Sequence, residues 1–197
     1  MREARSMAFT PGCDRRYLFL PKLLTRPIRV LFYARPGAPR NAFELGLGFA
    51  SALKSRYGEG VQIVAAGEEL PQDIVRQYGD VLECAGIVAY EDLPEFYSSF
   101  HFLISFMLSK HPSYLPFEAM GSGCAVIANR NEANGWFFVD GENCVLADAA
   151  VAPLMEAFER AMDPEVYRRI VAGGKKTADS ARWEVELRRV DTFLRSL

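Results

Sequence analysis

The sequence predicts an α/β fold: one doubly wound parallel sheet, Rossmann-like, with helices on both faces. Three observations carry this. Short runs rich in β-branched and aromatic residues alternate with helical segments from Ile28 to Met162. The runs are joined by turn-forming loops and helices, the connection a right-handed crossover between parallel strands requires. The 197 residues are 50% hydrophobic and 24% charged, which supplies a sizeable core in one large domain or two very small ones.

Residues 1–27 show no clean period. They hold Pro11-Gly12, several arginines and a patch from Tyr17 to Leu20, and read as a lead-in that packs partly against the domain or links it to one upstream. The domain proper spans residues 28–197. Its first strand covers residues 28–33 and runs into a turn-rich loop from Ala34 to Asn41. Asn41 is a good N-cap, so a helix is expected over residues 42–54, apolar on more than one side and ended by Tyr57-Gly58. A second strand covers residues 61–66, and a short helix from near Pro71 reaches Tyr78. A third strand lies within residues 81–88, with Gly86 in it or at its end. Asp92 is placed to cap a helix over residues 93–100.

An apolar run over residues 102–106 reads as a buried strand. It leads through a polar loop into a short helix, where Pro116 suits the first turn and Glu118 sits in that same turn. Gly121 and Gly123 are expected to stop this helix before a strand over residues 125–128. An irregular loop over residues 132–139, a turn at residues 140–143 and a strand over residues 144–147 follow. Helical spacing then marks residues 151–162 and 183–197. Between them a helix over residues 164–176 is expected to end at Gly173-Gly174.

Composition narrows the function. A net charge of −2, from 23 basic and 25 acidic residues, gives no electrostatic footprint for nucleic acid. Cys13, Cys84, Cys124 and Cys144 form no CxxC pair; three lie in apolar contexts, as expected of reduced, buried thiols in a cytoplasmic protein. No apolar run has the length of a membrane span and no signal-peptide core is present. A cytoplasmic protein is expected, with peripheral attachment at the inner membrane face left open.

Parallel sheets place ligands beyond the C-terminal ends of their strands, and three loops there hold candidate residues. In the loop from Arg35 to Asn41, Arg40 stands at a helix N-terminus, where a cation opposes the macrodipole by roughly a few tenths of a kcal/mol. A bound anion would reverse that cost, and a solvated arginine would tolerate it. In the central loop, amides of Tyr114, Leu115 and Phe117 lie near Lys110 and His111, a set suited to a diphosphate. Glu118 either stabilises its own helix, the reading that helix physics alone favours, or accepts from two neighbouring sugar hydroxyls. In the third loop, from Gly86 to Glu91, Tyr90 stacks on a base or packs internally, and the Val88 backbone would pair with a base edge. Asn129 to Gly135 adds polar groups within reach of a sugar. No GxGxxG, P-loop or GxSxG is present, neither His101 nor His111 has metal-ligand spacing, and His101 reads as structural.

Four segments follow in order: Gly86-Ile-Val; Asp92-Leu-Pro-Glu-Phe-Tyr97; Leu115-Pro-Phe-Glu-Ala-Met-Gly-Ser-Gly-Cys-Ala-Val-Ile127; and Asp140-Gly-Glu-Asn143. Together they resemble the C-terminal, nucleotide-sugar-binding domain of GT-B glycosyltransferases of the group 1 type. Arg35-Pro with Arg40-Asn-Ala-Phe-Glu-Leu45, and His111-Pro-Ser-Tyr114, are more like the rhamnosyltransferase branch. The helix opening at Trp183-Glu184 also resembles the last helix of the family.

The resemblance implies one half of a GT-B fold: the donor-binding half of a retaining enzyme that moves a sugar, such as an activated deoxyhexose, from a nucleoside-diphosphate sugar to a glycan. It implies no cofactor and no metal. Arg40 and Lys110 would stabilise the leaving diphosphate in the metal's place, Glu118 would bind the ribose hydroxyls, and Val88 and Tyr90 would sit by the base. Arg35, Asn41, His111, Ser113, Tyr114 and Leu115 complete the substrate-binding candidates. Lys110 stands where many members carry a glutamate, and an acceptor-binding domain is expected from a partner or from a longer protein. A non-catalytic nucleotide-sugar binding module is the alternative, and a sugar-nucleotide epimerase of similar fold is a third reading.

Overall fold

The computed structural model describes residues 6–8, 12–109, 113–132 and 134–196. Six strands, β1 (Ile28–Ala34), β2 (Val61–Gly67), β3 (Glu83–Gly86), β4 (Phe102–Ile104), β5 (Ala125–Asn129) and β6 (Val145–Ala147), form one sheet in the order β3-β2-β1-β4-β5-β6. Every pairing is parallel, with Ile28 opposite Val61 and Val30 opposite Phe102. The helices are α1 (Phe43–Tyr57), α2 (Gln72–Tyr78), α3 (Leu93–Ser98), α4 (Leu115–Gly121), α5 (Val151–Ala161), α6 (Pro164–Ser180) and α7 (Trp183–Arg195). The doubly wound sheet is the one expected, and its strand order reverses between β1 and β4.

Two apolar layers sandwich the sheet. Val30, Phe32, Phe102 and Ile104 pack on one face with Leu47 and Phe49 of α1, Phe158 of α5 and Tyr167 of α6. Leu31, Leu103 and Val126 pack on the other with Tyr97 of α3, Phe117 and Met120 of α4, and Tyr17 of the lead-in. Central strands buried on both faces cannot alternate polar and apolar residues, which is why they read as continuous apolar runs. Each large side chain buried this way stabilises the fold by roughly 1.5–3 kcal/mol. α1 packs on both the sheet and the neighbouring α5, which accounts for its apolar character on more than one side.

Several boundaries differ from expectation. Asn41 does not cap α1. It ends a 3-10 turn over Pro39–Asn41, its side chain is buried, and Ala42 occupies the cap position at φ 48° with no side-chain cap. Asp92 adopts helical dihedrals, where its carboxylate makes no cap, and α3 ends at Ser98. β4 pairs only through Ile104, although Ser105 still donates to Ile127. Gly121 lies inside α4, and Gly123, at φ 81°, makes the turn after it. Gly173 and Gly174 do not end α6, which runs on to Ser180. The requirement at Gly173 is for space: a Cβ there would stand 2.1 Å from the Glu142 carbonyl oxygen.

The lead-in packs against the domain. The Cys13 amide donates to the Ala181 carbonyl at 2.6 Å, and Arg182 Nη1 donates to the Asp14 carbonyl at 2.6 Å. Farther along, buried His101 accepts from the Arg29 amide at Nδ1 (3.0 Å) and faces the Leu23 carbonyl with Nε2 at 3.1 Å, the tautomer with its proton on Nε2. His101 is structural, as read. Cys13, Cys124 and Cys144 are buried and Cys84 is exposed. Among the described residues no helix is long and apolar enough to cross a membrane.

Candidate functional site

A cavity of about 350 Å³ opens at the C-terminal ends of β1 and β2, the side of the sheet on which α/β folds take ligands. The two-residue period of β1 sends Leu31 and Tyr33 to the same face, where both line it. Ala66 and Gly67 close the end of β2, and Ile87, Val88 and Tyr90 come from the loop after β3. Leu93, Phe96 and Tyr97 share one side of α3 at helical spacing, and Ser113, Tyr114, Leu115 and Glu118 form the wall at α4.

The structure therefore brings together six of the sequence candidates: Val88, Tyr90, Ser113, Tyr114, Leu115 and Glu118. Glu118 is half-buried and accepts from the Tyr97 hydroxyl at Oε2 over 3.4 Å. Burial pushes its pKa above the ordinary carboxylate value, while the hydroxyls of Tyr17 and Tyr97 and the guanidinium of Arg16 act in the other direction. The same surroundings raise the pKa of both tyrosines, burial first and the Glu118 charge second. Tyr90 is 61% exposed, and the Arg16 guanidinium carbon lies 3.3 Å from its ring centroid.

Other candidates stand outside this wall. Arg35 is ion-paired to Glu68 at 2.9 Å and also donates to the Tyr33 hydroxyl at 3.4 Å, so it braces a wall residue from behind. Glu68 in turn accepts from the Gly37 amide at 3.0 Å, and that bond together with Arg35 holds its pKa below the ordinary value. Arg40 is exposed and does not line the cavity; its carbonyl accepts from the Leu108 amide at 2.7 Å, joining the loops that follow β1 and β4. Its guanidinium has no ion pair among the described residues. Asn41 is buried with Oδ1 unpartnered among the described residues. Lys110 and His111 lie outside the described residues. The Leu115 amide, read as free for an anion, already donates to Ser113 Oγ at 3.3 Å.

Asn129 and Asn131, which the sequence suggested could touch a sugar, serve the loop after β4 instead. Asn129 Oδ1 accepts from the Met107 amide at 2.8 Å, and its Nδ2 donates back to the Met107 carbonyl at 3.0 Å. Asn131 Nδ2 reaches the carbonyls of Met107 and Ser109 at 2.8 and 2.9 Å. Sequence reasoning missed Tyr33, Phe96, Tyr97 and the lead-in residues Arg16 and Tyr17. The strand and helix periods could have found the first three. No local pattern marks Arg16. Among the described residues no group of three or more His, Cys, Asp or Glu is disposed to hold a metal ion.

Comparison with known proteins agrees with this architecture. The model of the family "WsaF, C-terminal domain" matches residues 28–159. The O-antigen biosynthesis protein RfbC of Myxococcus xanthus is 35% identical over 185 residues, which cover 92% of this chain and 14% of that protein. The chain thus spans about one seventh of the length of the curated relative it matches. Sucrose-phosphate synthase of Thermosynechococcus elongatus superposes with a TM-score of 0.77 at 19% identity, over 95% of this chain and 51% of that one. HepE of Anabaena, solved in complex with UDP and glucose, gives 0.75 at 17% identity, over 96% and 56%. The C-terminal domain of the group 1 glycosyltransferase LpcC of Francisella tularensis gives 0.67 at 19% identity, over 86% and 97%. With most of its length matched, the chain belongs to the WsaF C-terminal domain family and has the fold of the C-terminal half of a GT-B glycosyltransferase.

Proposed function

We propose that this chain is the donor-binding half of a retaining glycosyltransferase that takes a nucleoside-diphosphate sugar and supplies its sugar to a glycan acceptor held by another domain. The single observation that carries this is Glu118, a carboxylate on the wall of a tyrosine-lined cavity beside Tyr90. Its two oxygens suit the two neighbouring hydroxyls of a ribose, and Tyr90 and the Val88 backbone suit the base. Arg40, in the loop after β1, and Lys110 would take the charge of the departing diphosphate. That electrostatic stabilisation stands in for a metal ion, and no cofactor is required. HepE, of the same fold, has been solved with UDP and with UDP-glucose, and RfbC is named for O-antigen biosynthesis. A cytoplasmic location fits a nucleotide-sugar donor.

Calorimetric titration with UDP, dTDP, GDP and ADP tests this reading. One nucleotide should bind the folded chain, and Glu118→Ala and Arg40→Ala should each weaken it by about 1–3 kcal/mol, the range for a lost charge-assisted hydrogen bond. Unchanged affinity in both variants would refute the site. Lys110, where the family resemblance implies a glutamate, favours a second reading as a non-catalytic binding module. Sugar transfer by the protein joined to its acceptor domain would exclude that reading.

A further inference from the structure

Residues 12–27 lie outside the span of the family match, yet one of their side chains joins two walls of the cavity. The Asp14 carboxylate accepts from the Arg16 amide at 2.9 Å and sets a tight turn. Asp14 is itself held through its carbonyl by Arg182. The turn sends Arg16 back over the site, where its guanidinium stacks on Tyr90 and lies 5.3 Å from the Tyr17 ring centroid. Its Nε and Nη2 are buried in this contact. Among the described residues, the groups that act on the Glu118 charge are Cys13, Asp14, Arg16 and Tyr17 of the lead-in and Tyr97 of α3. Of these five, only Arg16 carries a positive charge.

We infer that Arg16 is a positioning residue of the nucleotide site: by stacking on Tyr90 and facing Glu118, it holds the base wall and the ribose-binding carboxylate in their binding arrangement. This rests on the reading of Glu118 as the ribose ligand. The Tyr90 ring is largely exposed, so the stacked cation contributes modestly through the ring itself. Here the same cation offsets the cost of keeping a half-buried carboxylate charged. The lead-in is then a working part of the site, and a shift in the turn at Asp14 would alter Tyr90 and Glu118 together.

The test is the pH dependence of UDP affinity, measured by calorimetry from pH 5 to 8 on the full chain. Ionised Glu118 accepts from the ribose, so affinity falls as pH drops through its pKa. Arg16→Met keeps the aliphatic packing and removes the charge. It should weaken UDP roughly 2- to 5-fold at neutral pH, the range expected for a cation–π contact on a largely exposed ring, and move the acid limb to higher pH. Arg16→Lys should restore the position of the limb, and circular dichroism establishes that each variant is folded. Titration of the diphosphate is common to all variants and cancels in the comparison. Glu118→Gln should remove the part of the limb that Glu118 contributes, leaving only that of the diphosphate. If it binds UDP as the wild type does, the ribose reading fails. If it removes the Glu118 part of the limb while Arg16→Met leaves the limb in place, the Arg16 inference fails alone.

Discussion

Replacing Gly173 with alanine sets two effects of opposite sign against each other. Gly173 lies inside α6, where alanine is normally the better residue by about 1 kcal/mol. The Cβ, however, would stand 2.1 Å from the Glu142 carbonyl oxygen and 2.9 Å from its carbon. Relief requires the turn at residues 140–143 to move by roughly 1 Å, to restore ordinary van der Waals separation. That turn is pinned. Asn143 accepts from the Val139 amide at 2.7 Å and donates to the Phe137 carbonyl at 2.6 Å and Thr177 Oγ1 at 2.8 Å, while Arg169 donates to the Gly141 carbonyl at 2.7 Å. Loosening two of these bonds costs about 2 kcal/mol, and overpacking adds about 1–3 kcal/mol. After the helical gain is deducted, the net destabilisation is about 2–4 kcal/mol. Equilibrium urea denaturation should show a midpoint lower by about 1–2 M at an unchanged slope. Gly174→Ala is the control: its nearest neighbour is the flexible Met120 Cγ at 3.0 Å, and its loss should be under about 1 kcal/mol. A Gly173→Ala protein as stable as the parent, or more stable, would refute the steric argument.

Acid should weaken the fold through His101. Burial lowers its pKa below the ordinary 6.5, so the unfolded chain takes up a proton over a range where the folded chain does not. Its contribution is complete above about pH 7 and is lost as pH falls through 6.5 towards the folded value. The raised pKa of Glu118 has the opposite sign, stabilising the fold as pH falls towards 4.5, so the measurement belongs in a Glu118→Gln background. There, urea midpoints should drop between pH 7.5 and 5.5, and a flat profile would contradict the assignment. Thiol reagents should label Cys84 in the native protein and spare Cys13, Cys124 and Cys144, whose burial pushes their pKa values to about 12. Labelling of a second cysteine as fast as Cys84 would show that the core is more open than described.

Much of the site can be read from order along the chain. Val88, Tyr90 and the stretch from Ser113 to Glu118 follow strands directly, and a parallel sheet carries everything after its strands to one edge. Tyr33 and Tyr97 share that edge because strand and helix periods turn them towards it. Arg16 shows no such signal, since its position depends on a turn held by Arg182, distant in sequence. Asn41 looked like a cap because helix starts favour asparagine, but burial in the preceding 3-10 turn claimed its side chain. Gly173-Gly174 looked like a stop because glycine often ends helices, but the crossing of α6 over residues 142–143 claimed the missing Cβ.

The sequence by itself determined the doubly wound parallel sheet, the edge that carries the site and the segments that supply most of its wall. These follow from local periods and from the steric rules that make crossovers right-handed, which act wherever the pattern occurs. Tertiary structure alone decided that Arg35 braces Tyr33 through its own ion pair with Glu68, that Arg16 stacks on Tyr90, and that Asn129 and Asn131 hold a loop. Those outcomes depend on which charged and polar groups meet once the core has closed. Hydrogen bonds and ion pairs act over a few ångströms, and spacing along the chain does not reveal which groups will come within that range.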